Sequence, residues 1–350
     1  MRLHRGPALV RGALGLLTGS TVTQSYYRRS EMTRALQRLS ATRRFDTVLA
    51  FSSSMASYAL GVPAKQRILD LCDCDSQKWL AYAEQTHAPM RWVYRAEGLR
   101  LQGLERRWAN AFDATLLITD AEAATLRPFV NANRLHVVGN GVTPIDPMEP
   151  ERRGPKLEAQ VGFVGVMDYR PNVDAVCWFV ENCWREIRRA IPSASFQIVG
   201  RSPSRKVRVL ASVPGVRVLG EVSDVAEYLR GFSVSIAPMR IACGLQNKVL
   251  EAMIAGLPVV LSQRAAQAVG GIDERDFLVA DDPDRFIRAV TGLLRSEQDA
   301  ARIGENGRSF VREHFRWEDQ LSKLDEVVTG VSGARGSVAA PPRVASLVPA

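Results

Sequence analysis

The sequence has few of the residues that build metal centres and disulfide frameworks. Its 350 residues include five cysteines and four histidines, and it contains no CxxC pair and no HExxH motif. These scattered residues exclude a disulfide-stapled scaffold and a zinc module, so no metal site is expected. No stretch approaches the roughly 20 apolar residues of a membrane-spanning helix. Together these absences favour a soluble protein in a reducing cytoplasm.

The segment from Met1 to Phe45 is strongly basic, with nine arginines and a single acid, Glu31. Its apolar piece, Ala13–Leu17, is short for a signal peptide, so export is not expected. Such a segment can meet anionic lipid, nucleic acid or an acidic substrate, or it can remain a solvated helix face. Nucleic acid is the least favoured partner because no zinc-finger spacing and no RNP-like aromatic motif is present.

Short apolar runs alternate with helical patterns along most of the chain. Strands are predicted at 46–54, 66–76, 113–119 and 135–142 in the first half, and at 161–166, 196–200, 216–220, 234–239, 259–262 and 277–280 in the second. Nearly continuous apolar strands between helices are typical of parallel sheets covered on both faces. We therefore predict an α/β fold whose ligands bind at the carboxyl ends of the strands.

Helices are predicted between these strands, one of them with Asp120 at its N-cap. The main ones span 79–112, 171–190, 205–212, 225–232, 248–255, 283–295, 300–313 and 317–328. A proline-rich segment with no apolar periodicity, 143–156, is predicted to be an interdomain linker. The predicted organisation is a basic segment (1–45), a first Rossmann-like domain (46–142), the linker (143–156), a second Rossmann-like domain (157–328) and a disordered tail (329–350).

The segment from Pro238 to Pro258 is the most informative for function. It contains a strand, a glycine-containing loop and a helix, and Gly244 would let the backbone approach a ligand closely. The free N–H groups at the start of the helix favour a diphosphate, to which Lys248 would add a positive charge. One turn later, Glu251 could accept hydrogen bonds from ribose hydroxyls. Alternatively, Lys248 and Glu251 form a weak surface ion pair.

Three aspartates, Asp70, Asp73 and Asp75, end a predicted strand of the first domain. Carboxylates gathered at a strand end repel one another unless they serve base catalysis, acceptor binding or metal binding. Alternation along the chain would place Asp73 and Asp75 on one side, and Cys72 and Cys74 on the other. The alternative is that Asp75 or Ser76 caps the helix that contains Trp79.

The pattern G-x-x-N-K-x-x-E-A-M-x-x-G-x-P-V-V, from Gly244 to Val260, resembles the donor-site signature of the retaining glycosyltransferases of family 4. Most of those enzymes have a glutamate eight residues before Glu251, where this sequence has Cys243. The segment GLQNKVLEAM, at 244–253, resembles the same segment in a bacterial subgroup of these enzymes, which is found with exopolysaccharide loci and the exosortase (PEP-CTERM) system. The segments at 69–79, 140–142 and 165–179 match that subgroup too, and the resemblance covers roughly residues 21–328.

The resemblance implies the GT-B fold, in which two Rossmann-like domains with parallel sheets face each other across a cleft. It also implies retaining transfer of a sugar from a nucleoside diphosphate sugar to a lipid-linked or polysaccharide acceptor, without metal or other cofactor. In the loop after Gly165, Arg170 and Asn172 are the available polar groups. The donor-binding residues implied are Gly165, Arg170, Arg201, Gly244, Gln246, Asn247, Lys248 and Glu251, and Asp73 is the candidate catalytic residue.

Relatives of this kind begin with a strand, a glycine-rich loop and a helix, whereas the first clear strand here begins at Asp46. We therefore expect the first domain to be incomplete, with an exposed sheet edge. Three functions stay open: a glycosyltransferase, peripheral at the cytoplasmic membrane face; a non-catalytic GT-B protein that binds nucleotide or partner proteins; and a sugar-nucleotide epimerase. A dehydrogenase is disfavoured because no G-x-G-x-x-G fingerprint is present. Arg201 could equally be an exposed surface arginine.

Overall fold

The computed structural model describes residues 5–145, 159–241 and 244–330, which contain two parallel β-sheets. The strands are β1 (Phe45–Phe51), β2 (Ala64–Cys72), β3 (Ala114–Leu117), β4 (Leu135–Val137), β5 (Gln160–Val164), β6 (Ser195–Val199), β7 (Val216–Gly220), β8 (Val234–Ala237), β9 (Val259–Leu261) and β10 (Leu278–Val279). The first sheet has the order β1-β2-β3-β4 and the second β10-β9-β8-β5-β6-β7, with every pair parallel. The predicted α/β architecture is confirmed.

The helices connect and cover these strands. They are α1 (Arg5–Leu17), α2 (Val22–Tyr27), α3 (Ser30–Thr42), α4 (Ala56–Leu60), α5 (Asp75–Glu84), α6 (Met90–Ala111), α7 (Asp120–Leu126), α8 (Arg170–Phe179), α9 (Arg185–Ala190), α10 (Arg205–Val209), α11 (Val225–Gly231), α12 (Asn247–Ile254), α13 (Gln263–Val269), α14 (Pro283–Arg295), α15 (Glu297–His314) and α16 (Trp317–Thr329). None of the helices in the described residues combines the length and hydropathy that a membrane span requires.

Several helix predictions are corrected. The single helix expected over 79–112 is two helices, α5 and α6. The helix expected over 171–190 contains a π-helical turn at Val180–Trp184 between α8 and α9. Thr119, and not Asp120, is the N-cap of α7, because its side chain accepts a hydrogen bond from the Glu122 N–H. Helix α13 was not predicted at all.

One face of the first sheet is covered by α4, α6 and α7, whose apolar side chains surround Leu69 and Leu117. The other face carries Ile68 and Leu116, which pack against Val327 and Leu324 of α16. Strand β1 lies at the edge of this sheet, where Leu49 and Phe51 are 47% and 60% exposed. The incomplete first domain that the sequence predicts stays a prediction.

Helix α16 connects the end of the described chain to the first domain, although the predicted boundary at 328 groups it with the second. Besides its apolar contacts, its Val327 carbonyl accepts a hydrogen bond from the Gln66 side chain at 2.8 Å. The Gln320 side chain accepts another from the Gly139 N–H at 2.9 Å. The first sheet is thus completed by residues from opposite ends of the sequence.

Helix α6 carries two buried glutamates that hold the starts of other helices. The Glu97 carboxylate accepts hydrogen bonds from the N–H groups of Val22 and Thr23, at 2.6 and 2.8 Å. The Glu105 carboxylate accepts from the N–H and hydroxyl of Ser76, at 2.9 and 2.5 Å. These carboxylates satisfy N–H groups that a helix leaves unpaired at its first turn. One interpretation of the sequence was that Asp75 or Ser76 caps α5. That interpretation is wrong, because the Glu105 carboxylate accepts a hydrogen bond from the free N–H at the start of the helix.

The second sheet has its topological switch point between β5 and β8, because the chain leaves β5 toward β6 on one side and returns to β8 on the other. Its core contains large buried side chains from strands and helices alike, including Phe163, Phe196 and Trp184. Ligands of doubly wound sheets bind at the carboxyl ends of the strands beside such a point. The predicted linker after residue 145 and the predicted tail after residue 330 lie outside the described residues.

Candidate functional site

Two glycines, Gly165 and Gly200, follow β5 and β6 at their carboxyl ends, and their backbones are in contact. The Gly165 N–H donates to the Val199 carbonyl at 3.0 Å. Gly200 has a φ of 145°, and a Cβ at this position would collide with the Gly165 carbonyl oxygen. A side chain at residue 200 would therefore push the two loops apart, so the edge depends on glycine there.

Lys248 is in the first turn of α12, beside Gly165. Its Nζ donates to the Asn172 side-chain oxygen at 2.8 Å and to that of Gln246 at 2.9 Å. Burial lowers the pKa of Lys248 to about 8, against the opposing attraction of Glu251. Within the described residues no carboxylate lies close enough to form an ion pair with it. The ammonium is thus held by neutral groups at a position where its charge is only partly solvated.

Arg170 and Arg201 follow the same two strands and are both half-buried. Arg201 comes directly after Gly200, and its carbonyl accepts from the Met167 N–H at 2.9 Å. Arg170 begins α8 and donates to the Thr86 hydroxyl of the first domain at 2.6 Å. Neither guanidinium forms an ion pair with a carboxylate of the described residues. Together with Lys248, these side chains give the edge three positive charges without acidic partners.

Glu251 lies one turn beyond Lys248 on α12 and is half-buried. Its carboxylate has no hydrogen-bond partner among the described residues. Burial raises the pKa of Glu251, while the charge of Lys248 opposes that rise. The predicted surface ion pair with Lys248 does not form, because the Lys248 ammonium bonds to Asn172 and Gln246 instead. The carboxylate oxygens keep their capacity to accept hydrogen bonds from a ligand.

The remaining predicted donor residues lie where the two domains meet. Asn247 accepts a hydrogen bond from the Asn140 side chain of the first domain at 2.8 Å. Gly244 has a φ of 67°, and a Cβ there would collide with the Asp73 carboxylate. Gln246 orients Lys248. Cys243, which stands where relatives have a glutamate, lies outside the described residues.

Asp73, from the first domain, therefore faces the Gly244 loop of the second. One of its oxygens, Oδ1, is buried and has no hydrogen-bond partner. Asp73 shares a hydrogen bond with Glu122 of α7, which also accepts from the Cys74 N–H at 3.2 Å. Burial raises the pKa of Asp73 to about 6 and that of Glu122 to about 8. Sequence reasoning missed Glu122, since nothing in the helix that follows β3 marks it as a partner of Asp73.

The other two aspartates of the predicted cluster have structural partners. Asp75 accepts from the buried Ser53 hydroxyl at 2.5 Å and pairs with Lys78. Asp70 accepts from the Cys72 N–H at 3.0 Å. The predicted alternation beyond the strand is wrong, because β2 ends at Cys72 in a left-handed turn with φ 58°, and Asp75 begins a helix. Among the described residues no group of three or more potential ligands is arranged to hold a metal ion.

Comparison with known proteins finds sequence similarity in the second domain. Residues 158–296 match the family model described as glycosyl transferases group 1. A segment of 165 residues is 28% identical to a GDP-mannose-dependent α-(1-6)-phosphatidylinositol monomannoside mannosyltransferase of Mycolicibacterium smegmatis. That segment is 43% of this chain, and the match spans only 43% of the length of the mannosyltransferase.

Solved structures resemble the chain over both domains. A sucrose-phosphate synthase from Thermosynechococcus elongatus superposes with a TM-score of 0.68 at 18% identity, covering 86% of this chain and 77% of that one. The HepE protein of Anabaena, solved with UDP-glucose, gives a TM-score of 0.62 at 13% identity over 91% and 84% of the two chains. The glycosyltransferase WaaG gives 0.64 at 16% identity over 88% and 82%. Residues 158–296 thus match the glycosyl transferases group 1 model, in a chain with the two-domain GT-B fold.

Proposed function

We propose that this protein is a glycosyltransferase that moves a sugar from a nucleoside diphosphate sugar to a lipid-linked or glycan acceptor. The second domain would bind the donor, and the first would present the acceptor across the cleft. The proposal extends to retention of anomeric configuration, and to a role in bacterial exopolysaccharide synthesis beside an exosortase system. These finer parts are drawn from the sequence resemblance.

The observation that carries the proposal is the unpaired positive charge around Gly165 and Gly200. Lys248, Arg170 and Arg201 follow the strand ends at the switch point, and none of them has a carboxylate partner in the described residues. Partly buried positive charge without an ion-pair partner is unfavourable, so a bound anion would stabilise it. Glycine backbone at the same strand ends would let a diphosphate approach closely.

Glu251 supplies the second half of the donor site in this proposal. Its carboxylate has no partner of its own and lies one turn beyond the lysine, a spacing that suits a ribose next to a diphosphate. Two vicinal hydroxyls can donate to the two carboxylate oxygens. The raised pKa of Glu251 would return toward its usual range when hydroxyl donors bind the ionised form.

Asp73 is the proposed catalytic residue. As the bond between the sugar C1 and the diphosphate breaks, its electron pair leaves with the diphosphate, where the three cations stabilise the new charge. The acceptor oxygen bonds to C1, and its proton passes to Asp73. Burial raises the pKa of both Asp73 and Glu122, and in this proposal the pair of carboxyls holds one proton and accepts the second from the acceptor hydroxyl.

The N-terminal helices are the proposed membrane-facing surface. Val10 and Leu14 of α1 lie one turn apart and are 61% and 54% exposed. The arginines of this segment would meet anionic headgroups while these apolar side chains enter the interface. Co-sedimentation with phosphatidylglycerol vesicles, against neutral phosphatidylcholine vesicles as the control, tests this part.

Thermal unfolding with nucleotides tests the donor site. UDP, GDP, ADP and their common sugars are added to the wild type and to Glu251→Gln. A ligand at 100 times its Kd should add roughly 2.7 kcal/mol of stability, and the variant should lose most of that gain. The matched control is Glu326→Gln, an exposed glutamate of α16 that should respond to nucleotide like the wild type. No stabilisation by any nucleotide would overturn the proposal.

A non-catalytic protein that binds nucleotide is the second candidate. The observation that favours it is Cys243, which stands where the family signature has a glutamate. Turnover separates the two candidates: nucleotide stabilisation without acceptor-dependent release of nucleoside diphosphate would favour the binding protein. Release that depends on acceptor would favour the transferase over an epimerase as well, and the anomeric configuration of the product tests retention.

A further inference from the structure

Arg170 belongs to the second domain, but its side chain is held by the first. Its Nη2 donates to the Thr86 hydroxyl at 2.6 Å. Its guanidinium carbon lies 4.7 Å from the centre of the Tyr82 ring and 5.5 Å from that of Tyr94. Tyr82 is on α5, Tyr94 is on α6, and Thr86 lies between these helices. Three groups of one domain thus fix one arginine of the other.

The chemistry of these contacts leaves the arginine charged. A second arginine that crosses the domain boundary, Arg264, pairs with the Glu84 carboxylate at 3.2 Å and is neutralised by it. Arg170 instead meets two aromatic faces and a hydroxyl, which attract a cation without cancelling its charge. The guanidinium has five N–H donors, and the Thr86 bond uses one of them. The contacts orient the side chain and leave it able to bind an anion.

The aromatic pair is itself part of a fixed cluster. Trp79 lies 5.8 Å from Tyr82 and 5.5 Å from Tyr94, and the two tyrosine rings are 5.9 Å apart. Ile241, three residues before Gly244, is buried in the same cluster. The cluster therefore contacts the second domain at two places, the start of α8 and the loop that leads into α12. Both places border the diphosphate position of the proposed donor site.

We propose that Tyr82, Tyr94 and Thr86 are positioning residues, which hold Arg170 toward the diphosphate of the donor. Arg170 is two residues before Asn172, the side chain that orients Lys248. The diphosphate half of the site would then be complete only while the two domains are in contact. This inference rests on the proposed function, because it assumes that the ligand at the three cations is a nucleoside diphosphate.

The test compares affinities for nucleoside diphosphates and monophosphates by titration calorimetry. UDP and UMP, GDP and GMP, and ADP and AMP are titrated into the wild type, Arg170→Gln, and the double variant Tyr82→Leu/Tyr94→Leu. Loss of a well-placed cation should lower the diphosphate-to-monophosphate affinity ratio by roughly tenfold in both variants. If the tyrosines act through Arg170, the triple variant should lose no more than Arg170→Gln alone.

Two further variants separate positioning from general damage. The pair Tyr82→Phe/Tyr94→Phe keeps both ring faces and should recover most of the ratio that the leucine pair loses. Arg264→Gln breaks the other arginine contact across the boundary and should leave the ratio at its wild-type value. If the leucine pair does not fold, Thr86→Val repeats the test by removing only the hydrogen bond, and a smaller loss of the same ratio is then expected.

The outcomes are distinct. No nucleotide binding to the wild type would overturn the proposed function, and this inference with it. Diphosphate binding that depends on Arg170 but not on the tyrosines or Thr86 would overturn the inference alone. An equal loss of monophosphate and diphosphate affinity in the leucine pair would also overturn it, because positioning of Arg170 acts only on the added phosphate.

Discussion

The strand ends of both sheets face the same cleft, but the residues at these two edges differ in charge and in backbone type. The edge of the second sheet, called here the basic edge, consists of Gly165, Gly200, Arg170, Arg201 and Lys248. The edge of the first sheet, called here the acidic edge, consists of Ser52, Cys72, Asp73 and Glu122. One combines glycine backbone with unpaired cations. The other combines buried carboxyls with non-glycine residues in left-handed backbone conformations, at φ 75° for Ser52 and 58° for Cys72.

The difference indicates how one kind of fold divides the chemistry between its halves. Glycine at the basic edge removes side chains, so a ligand can come close to the backbone while cations surround it. At the acidic edge the strained turns contain residues with side chains, Ser52 and Cys72, in place of glycine. The group that faces the cleft there is the Asp73 carboxyl, whose pKa is raised by burial. In the proposed reaction, the basic edge would stabilise the charged leaving group and the acidic edge would accept the proton.

Adding a single methyl group to the basic edge should have the largest effect. Gly200→Ala places a Cβ against the Gly165 carbonyl, in a backbone conformation that side chains rarely adopt. We expect a loss of about 3 kcal/mol or more in the free energy of unfolding, because the loops after β5 and β6 must separate. Urea denaturation measures the loss, and nucleotide stabilisation should disappear with it.

The matched control is Gly220→Ala. Gly220 also has a left-handed φ, of 75°, but a Cβ there would meet no atom within 4 Å. Gly220→Ala should lower the free energy of unfolding by only about 1 kcal/mol, the ordinary penalty for a side chain in that conformation. Equal losses for the two variants would mean that backbone conformation alone, and not the packing of the two loops, makes glycine necessary at the basic edge.

The pH dependence of stability tests the acidic edge. Burial raises the pKa of Asp73 to about 6 and that of Glu122 to about 8, whereas both groups ionise near pH 4 in the unfolded chain. The folded state therefore binds more protons between pH 4 and 8, and its stability must fall as the pH rises through that range. These pKa values set an upper limit of about 5 kcal/mol on the fall in the free energy of unfolding that this pair causes between pH 5 and 8.

Glu122→Gln should remove most of that fall, because one ionisable group is gone and Asp73 no longer faces a second carboxylate. The measurement is denaturant unfolding at a series of pH values. Glu105 also has a pKa raised by burial, to about 7, so Glu105→Gln provides the comparison for an acid outside the cleft. A fall in stability between pH 6 and 8 that is as large in Glu122→Gln as in the wild type would contradict the raised pKa of Glu122.

The smallest expected effect is a gain in stability at the acidic edge. Ser52 has φ 75° and ψ 150°, a region that is essentially reserved for glycine. Ser52→Gly should raise the free energy of unfolding by about 0.5–1 kcal/mol, despite the greater freedom of glycine in the unfolded chain. Ser54→Gly loses the same 2.7 Å hydrogen bond between the two hydroxyls without relieving the strain, so it should destabilise the protein.

The second sheet was predictable because its central strands are buried on both faces. The segment FQIVG, at 196–200, is a short apolar run that ends in a turn residue, and the structure has a fully buried strand at Ser195–Val199. Helix α13, with the sequence QRAAQAV, was missed because its apolar residues are alanines and one valine, which give little periodic signal. The break between α5 and α6 lies at QTHAP, residues 85–89, where Pro89 is a helix-breaking signal that the prediction of a single helix did not use.

Only the part of the candidate site whose residues are close together in the sequence was predictable. Gly244, Lys248 and Glu251 lie within one loop and one helix, so their spacing along the chain places them together. The contacts of Asp73 with Gly244, and of Arg170 with Tyr82, join residues of different domains. No periodicity encodes such pairs, because they depend on how the two sheets are docked.

Helix α16 has a consequence for how the protein is made. It covers Ile68 and Leu116 of the first sheet, yet residues 138–316 emerge from the ribosome between β4 and this helix. At ordinary rates of synthesis that interval lasts on the order of ten seconds or more, during which one face of the first sheet lacks its cover. Most core residues of the second domain, up to Val311, are made in the same interval. The half of the protein that is translated first therefore cannot finish folding until α16, the last helix of the described chain, has been made.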